Sequence, residues 1–257
     1  MDKQVRKRND AQIFVLCYKS VKYNIPDNYL YTPLQCGADV FKEKNLYSLK
    51  DNTGDNISER NNFYAEVTGT YFLWKNMCEK YKYIGQTQYR RQLIFDETTD
   101  FDTLFKEYDV IVSKGLNFSK YKNGVYGQYS LCHNSKDLDI AKEIIKKHFP
   151  SYSKDFEKYI MNGKKLYAHS GIIMRSEDFS KYCNFLFTII DEHRKINGIN
   201  TVTDMKGYIK KNFPRNKQNI ERQKFLYGFL AERLMTLFVL HNFKNILEVP
   251  YTKYEGI

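Results

Sequence analysis

The sequence predicts an α/β fold in a single domain, and three observations carry that prediction. Ile13-Phe14-Val15-Leu16-Cys17-Tyr18 and Asp109-Val110-Ile111-Val112-Ser113 read as strands buried in a sheet. Segments with apolar residues at three- and four-residue steps alternate with such strands, which is the pattern of helices packed on a sheet. The 257 residues show no linker, repeat or low-complexity stretch, so one domain over 1–257 is expected, with 1–11 as a disordered arm.

Taken in order, the first strand is followed by Lys19 and Ser20 at its carboxyl end. Residues 22–60 hold few apolar repeats and read as loop with short elements. Gly54-Asp55-Asn56-Ile57-Ser58 is a polar turn. A helix over roughly Asn62 to Cys78 follows, with Ser58 or Asn62 as its cap. Phe63, Val67, Tyr71, Trp74 and Cys78 form its buried face, and Asn62 and Glu66 share another face one turn apart. Tyr83 to Thr87 is a buried strand that runs straight into Gln88-Tyr89-Arg90-Arg91. Asp102 caps a short helix ending near Tyr108. Residues 114–134 are rich in Gly and Tyr and read as a loop over the site. Ser135 or Asp137 opens a helix that stops before Pro150. Leu166 to Met174 reads as a strand carrying His169 and Ser170. Ser176-Glu177-Asp178 begins an acidic helix start. That helix ends near His193-Arg194-Lys195, with Gly198 as its stop. A basic loop precedes a last helix from about Gln218 to His241.

Composition narrows the function classes. No apolar run reaches the roughly 18 residues of a membrane span. The charged start, Met1-Asp2-Lys3-Gln4-Val5-Arg6-Lys7-Arg8, lacks an apolar signal core, so a cytoplasmic protein is expected. Cys17, Cys36, Cys78, Cys132 and Cys183 are scattered, which argues against a disulfide scaffold or a zinc site. Net charge is +11, which fits nucleic acid, an anionic membrane surface or an anionic small substrate as partner. The 22 Tyr and 18 Phe add interfacial anchors to the membrane reading. The usual stacking-plus-basic modules of nucleic-acid binders do not occur.

Ligands of α/β proteins sit where strands end. Two guanidiniums there suit a diphosphate, because each offers a planar fork of donors to phosphate oxygens. Strand alternation sends neighbouring residues to opposite faces, so only one of Arg90 and Arg91 is expected to meet the ligand.

The order of motifs adds a resemblance. Tyr18-Lys19, Gln35-Cys36-Gly37-Ala38, Gly54-Asp55-Asn56-Ile57-Ser58, Glu66-Val67-Thr68, Trp74-Lys75-Asn76, Gly85-Gln86-Thr87-Gln88-Tyr89-Arg90-Arg91 and Ala231-Glu232-Arg233-Leu234 follow one another over about residues 13–240. In this the chain resembles the bacterial capsular and exopolysaccharide synthesis glycosyltransferases of the domain-of-unknown-function type, some of which are assigned as galactofuranosyltransferases. Tyr18 and Gln88 stand where that family usually has histidine. The resemblance implies a Rossmann-like nucleotide-sugar transferase fold of the GT-A type, with a mixed central sheet flanked by helices. It implies a UDP-sugar donor and a saccharide acceptor of the kind carried on lipid, at the inner face of the cell membrane.

Under that resemblance, Tyr18, Lys19, Asp55, Asn56, Asn62, Glu66, Gln88, Tyr89, Arg90 and Arg91 are expected at the donor, and Ser170 at the acceptor. Relatives of this fold place paired carboxylates for a divalent metal at the central strand end. Here that position carries Gln88-Tyr89-Arg90, so no metal or other cofactor is expected. An inverting transferase needs a base for the acceptor hydroxyl. Asp137, His133, His169 and Glu232 are the candidates, and the residues do not choose among them. The rival readings are a nucleic-acid-binding protein and an inactive nucleotide-sugar-binding relative.

Overall fold

The structure, a computed structural model, describes residues 10–18, 24–41, 47–213 and 220–254. The chain forms strands β1 (Ala11–Tyr18), β2 (Tyr31–Cys36), β3 (Leu49–Lys50), β4 (Tyr83–Gln88), β5 (Arg91–Leu93), β6 (Val110–Ser113), β7 (Leu116–Asn117), β8 (Lys165–Leu166), β9 (Ile172–Arg175), β10 (Ile246–Val249) and β11 (Tyr251–Lys253). The main sheet runs β10-β6-β9-β4-β1-β2-β3. All neighbours along this path are parallel except β9, which is antiparallel to both β4 and β6. β5 folds back on β4 and pairs with β11, and β7 and β8 make a separate ribbon.

β1 explains its own sequence. Phe14 and Leu16 face the larger core, while Ile13, Val15 and Cys17 face a smaller one, so every position before Tyr18 is buried. Its neighbours β2 and β4 are parallel to it, and strands covered on both faces carry continuous apolar runs. The larger core is covered by α1 (Asn61–Tyr64), α2 (Val67–Asn76), α4 (Gly124–Cys132), α5 (Lys136–His148), α7 (Ser176–Ile196), α8 (Val202–Asn212) and α10 (Leu226–Asn242). The smaller core is capped by α3 (Phe101–Glu107), whose Phe105 ring stacks on Tyr83 at 4.5 Å. A short turn, α6 (Ser153–Asp155), and α9 (Ile220–Gln223) complete the helices.

Several sequence expectations are corrected. β1 begins at Ala11, and the Asp10 carbonyl accepts from Tyr83 N, so the arm expected over 1–11 meets the sheet at its last residues. Residues 1–9 lie outside the described residues. β2 is one of the short elements within the segment expected as mostly loop, at a position the sequence did not mark. Its Pro33 conceals it, because proline is a poor central-strand residue. Gln35 turns its carbonyl to Asp51 N, so Pro33, two residues earlier, faces the same side. Pairing with β3 starts only at Leu34, so the missing N–H lies beyond β3. Asp100, not Asp102, caps α3 by accepting from Thr103 N. α4 occupies part of the expected loop over 114–134, and α8 part of the expected basic loop. The last helix is two pieces, α9 and α10.

The first expected helix is also two pieces. Asn61–Tyr64 ends at Ala65, which takes φ 53°, and Val67 starts the next helix. Asn61 makes this break. Its Nδ2 donates to the Ala65 carbonyl at 2.7 Å and to Thr68 Oγ1 at 2.9 Å. Neither Ser58 nor Asn62 caps a helix: Ser58 starts a short turn and donates to Asp51, and Asn62 lies within α1.

Asp51 is fully buried and ties the ends of β2 and β3 together. It accepts from Gly37 N at 2.7 Å, Ala38 N at 3.0 Å and Ser58 Oγ at 2.6 Å. Gly37 is required there: it takes φ 71°, and a Cβ on it would sit 2.5 Å from the Asn61 side chain. Asp51→Ala strands these donors in the interior. It should lower stability by about 3 kcal/mol, read as a shift of the urea midpoint at unchanged slope.

Candidate active site

Parallel β1 and β4 end on the same side of the sheet, at Tyr18 and Gln88. Because β9 is reversed, its amino end arrives at that rim as well, with Ile172 opposite Gln86. The turn before β9 therefore brings His169 and Ser170 to the strand ends. A cleft of about 570 Å³ opens there, within the roughly 300–1,000 Å³ typical of ligand sites. β1, β4, the α1–α2 break, the turn before β9 and α10 all contribute to its walls.

Tyr18, Glu66, Gln88, Tyr89, Arg90, Arg91, His133, His169 and Glu232 all line this cleft. Both arginines do so. β4 stops at Gln88, Tyr89 and Arg90 form a turn, and β5 begins at Arg91, so strand alternation does not govern the pair. Arg90 is exposed, with its Cζ 5.2 Å from the Tyr89 ring centre. Tyr18 is half-buried, its ring set edge-on to Phe41 at 5.1 Å and to Phe225 at 6.2 Å. Burial first, then the nearby Tyr89 and Glu66, pushes its hydroxyl pKa up.

Glu66 stands at the break between α1 and α2. Its Oε1 accepts from Gln88 Nε2 at 3.0 Å and from Ser170 Oγ at 3.2 Å. Burial raises its pKa above the usual carboxylate range, and Glu232 adds to this, while its hydrogen bonds oppose the rise. Ser170, expected at the acceptor, holds Glu66. His169 and Ser170 are not in a strand: they take φ 67° and 55° in the turn before β9.

Glu232 anchors that turn. Its Oε1 accepts from His169 N at 2.9 Å, and its Oε2 accepts from Arg233 Nη1 at 2.9 Å. The Arg233 side chain is buried and also donates to the Phe229 carbonyl and to Gln128 Oε1. His133 donates from Nδ1 to Gln223 Oε1 at 2.8 Å and stacks on Phe229 at 4.0 Å, joining α4 to α9 and α10.

Other expected residues lie elsewhere. Lys19 is outside the described residues. Asp137 does not line the cleft: it is fully buried, accepts from Tyr208 Oη at 2.5 Å and lies 3.3 Å from His193 Nε2. Asn62 does not line the cleft either. Asp55 and Asn56 build a scaffold turn. Asn76 accepts from Asp55 N at 3.2 Å and donates to its carbonyl at 2.8 Å, and Asp55 Oδ1 accepts from Tyr71 Oη at 3.0 Å. Asn56 Nδ2 donates to the Gly54 carbonyl. The Gly-Asp-Asn-Ile-Ser and Trp-Lys-Asn motifs thus meet each other. Sequence reasoning missed Asp51, Asn61, Arg222 and Arg233. Arg233 was within reach, since it follows Glu232 in a motif already noted, and Arg222 also lines the cleft.

The family model for DUF4422, a domain of unknown function, matches residues 12–243. The chain belongs to the DUF4422 family. Its fold matches that of the bifunctional glycosyltransferase WbbM, solved in the apo state, with a TM-score of 0.73 and 22% identity. The match covers 96% of this chain and 46% of that one, so this chain spans less than half the length of WbbM. No curated protein matches significantly. The likeness confirms the α/β architecture with its mixed central sheet and flanking helices.

His169 supplies a pH test. Burial holds its pKa down at about 4, Arg91 and Lys253 add to this, and Glu232 opposes it. The unfolded chain binds its proton at the ordinary value of about 6.5. Unfolding therefore takes up a proton between these values, and stability falls as pH drops from about 6.5 towards 4. His169→Gln should flatten that part of the pH–stability curve, measured by denaturant unfolding.

Proposed function

We propose that this protein is a glycosyltransferase that moves a hexose, galactose or galactofuranose, from a UDP-sugar to a surface polysaccharide acceptor. The reading rests on one observation: Arg90 and Arg91 both line the cleft at the end of β4. Two fixed guanidiniums offer a departing diphosphate the charge a metal otherwise supplies. Arginines beside a divalent cation would repel it. Among the described residues no three His, Cys, Asp or Glu side chains gather into a ligand set. Tyr18, between Phe41 and Phe225, offers an aromatic wall to a base. WbbM, the protein with the matching fold, is itself described as a glycosyltransferase.

A thermal-shift screen of UDP-sugars against other nucleotide sugars tests the donor. A ligand that binds only the folded state raises the melting temperature by mass action. A UDP-sugar should do so, and a shift with another nucleotide alone would overturn the assignment. Transfer should survive exhaustive chelation. Loss with EDTA, restored by manganese, would show that a metal takes part.

Arg90→Ala and Arg91→Ala should leave the fold intact and each raise the barrier by about 2–4 kcal/mol, read from kcat/KM. Two normal single variants would move the phosphate site elsewhere.

An acceptor tied to a lipid would bring the chain to a membrane surface. No helix among the described residues is long and apolar enough to cross one. The +11 charge should give salt-sensitive flotation with anionic vesicles, strong at low salt and lost at high salt.

A further inference from the structure

We propose that Glu66 takes the proton from the acceptor hydroxyl, and that the helix break at Ala65 is what places it at the sugar. This rests on the glycosyl-transfer reading above. In an unbroken helix, Ala65 and Glu66 would continue the turn of Asn61–Tyr64. Here Asn61 clamps the Ala65 carbonyl, Ala65 adopts φ 53°, and Glu66 lines the cleft. A backbone conformation of this kind costs a non-glycine residue about 1–3 kcal/mol. His169 and Ser170 also have positive φ, and Ser170 is one of the two residues that donate to Glu66. Among the described residues, three of the four non-glycine residues with positive φ thus lie in the two segments that hold this carboxylate, and the fourth, Asn123, opens α4. Gly228 of α10 makes room for the break, since a Cβ there would stand 3.2 Å from the Ala65 Cβ.

The partners separate Glu66 from the other candidates. Among the described residues both side-chain donors to Glu66 land on Oε1, and its remaining hydrogen bond comes from its own backbone N–H, so no other residue ties down the rest of the carboxylate. No basic side chain among the described residues forms a salt bridge with Glu66. Glu232 has both oxygens engaged, one by a backbone N–H and one by the buried Arg233, so its carboxylate is committed to the scaffold. His169 is held neutral and weakly basic, with Arg91 and Lys253 opposing any proton it would gain. Asp137 is sealed in the core. Burial and the neighbouring Glu232 make Glu66 a stronger base than an ordinary carboxylate.

The step balances. The acceptor oxygen forms a bond to the anomeric carbon as its proton passes to the Glu66 carboxylate. The bond from that carbon to the diphosphate oxygen breaks, and its electron pair leaves with the nucleoside diphosphate, facing Arg90 and Arg91. The anomeric configuration inverts.

Titratable groups around Glu66 are Glu232 from α10, Tyr18 from β1, Cys36 from β2 and Tyr182 from α7. Burial raises the last three, so they stay neutral at ordinary pH, and Glu232 is the neighbour whose charge counts. The probe is UDP-galactose, followed by UDP release into water and by NMR of the released sugar's anomer. Glu66→Gln keeps an acceptor for both donors. It should bind UDP-galactose as the wild type does, yet release UDP about 10³-fold more slowly. Should that variant misfold, Glu66→Asp is expected to fold and lose most of the rate. Glu232→Gln removes the like charge and should move the acid limb of the pH–rate profile to lower pH. Ser170→Ala removes a hydrogen bond to the ionised form and should move it to higher pH. A Glu66→Gln rate within tenfold of wild type, a retained anomer, or an acid limb unmoved in both variants overturns the proposal. Wild-type protein that neither binds nor cleaves any UDP-sugar overturns the transferase reading, and this assignment with it.

Discussion

One side-chain amide sets the geometry of the cleft. Asn61 gives its Nδ2 to the carbonyl of Ala65 and to Thr68 Oγ1, and so interrupts the helix that would otherwise run through to Asn76. Without that interruption Glu66 would stay on the helix surface and Gln88 would lose its partner. The same residue packs against Gly37, whose amide reaches Asp51, and Asp51 in turn holds Ser58. The clamp therefore joins the end of β2, the start of β3's loop and the first helix into one rigid wall. The donor side of the cleft leans on it.

The sequence made the strong periodicities plain. Residues 13–17 of β1 and 110–112 of β6 are continuously apolar because both faces of the sheet are covered, and α5 and α7 carry clear amphipathic faces with the expected stops. What it hid follows from tertiary context. Pro33 disguised β2, which tolerates it only because β3 is short. A hairpin turn at Tyr89-Arg90 is invisible when Gln88 through Arg91 carry no glycine, proline or asparagine to mark it. α8 was legible in principle: Thr201 and Asp204 form a capping box, with Thr201 accepting from Asp204 N and Asp204 accepting from Thr201 N. The density of lysines around it drew attention to charge instead.

The site was legible in its parts more than in its roles. Arg90, Arg91, Tyr18, Gln88 and Glu66 do converge, because they sit at strand ends or beside them. Asp55 and Asn56 do not, since turn residues satisfy their own backbone before they satisfy a ligand. The two departures from the family pattern also acquire meaning. Gln88 donates to Glu66 through an amide that does not titrate, so the orientation of that carboxylate is independent of the protonation state of its neighbour. Tyr18 keeps an aromatic ring beside Phe225, where an imidazole would add a titratable group.

The reversed strand β9 has a consequence for how the chain is made. β4 and β6 are not neighbours: β9 lies between them, and it emerges only after α5 and the turn at Pro150. A nascent chain ending before Lys165 holds one sheet fragment, β4-β1-β2-β3, and β6 as a lone strand, because β9 and β10, its two partners, come later. The facing edges of β4 and β6 are open to any passing strand during that interval. Insertion of Ile172 to Arg175 then closes the sheet from its middle, and the same event carries His169 and Ser170 to the rim. Synthesis of the last central strand thus sets the rim of the cleft, α10 and Glu232 follow it in the chain to complete the walls, and aggregation competes until the strand arrives.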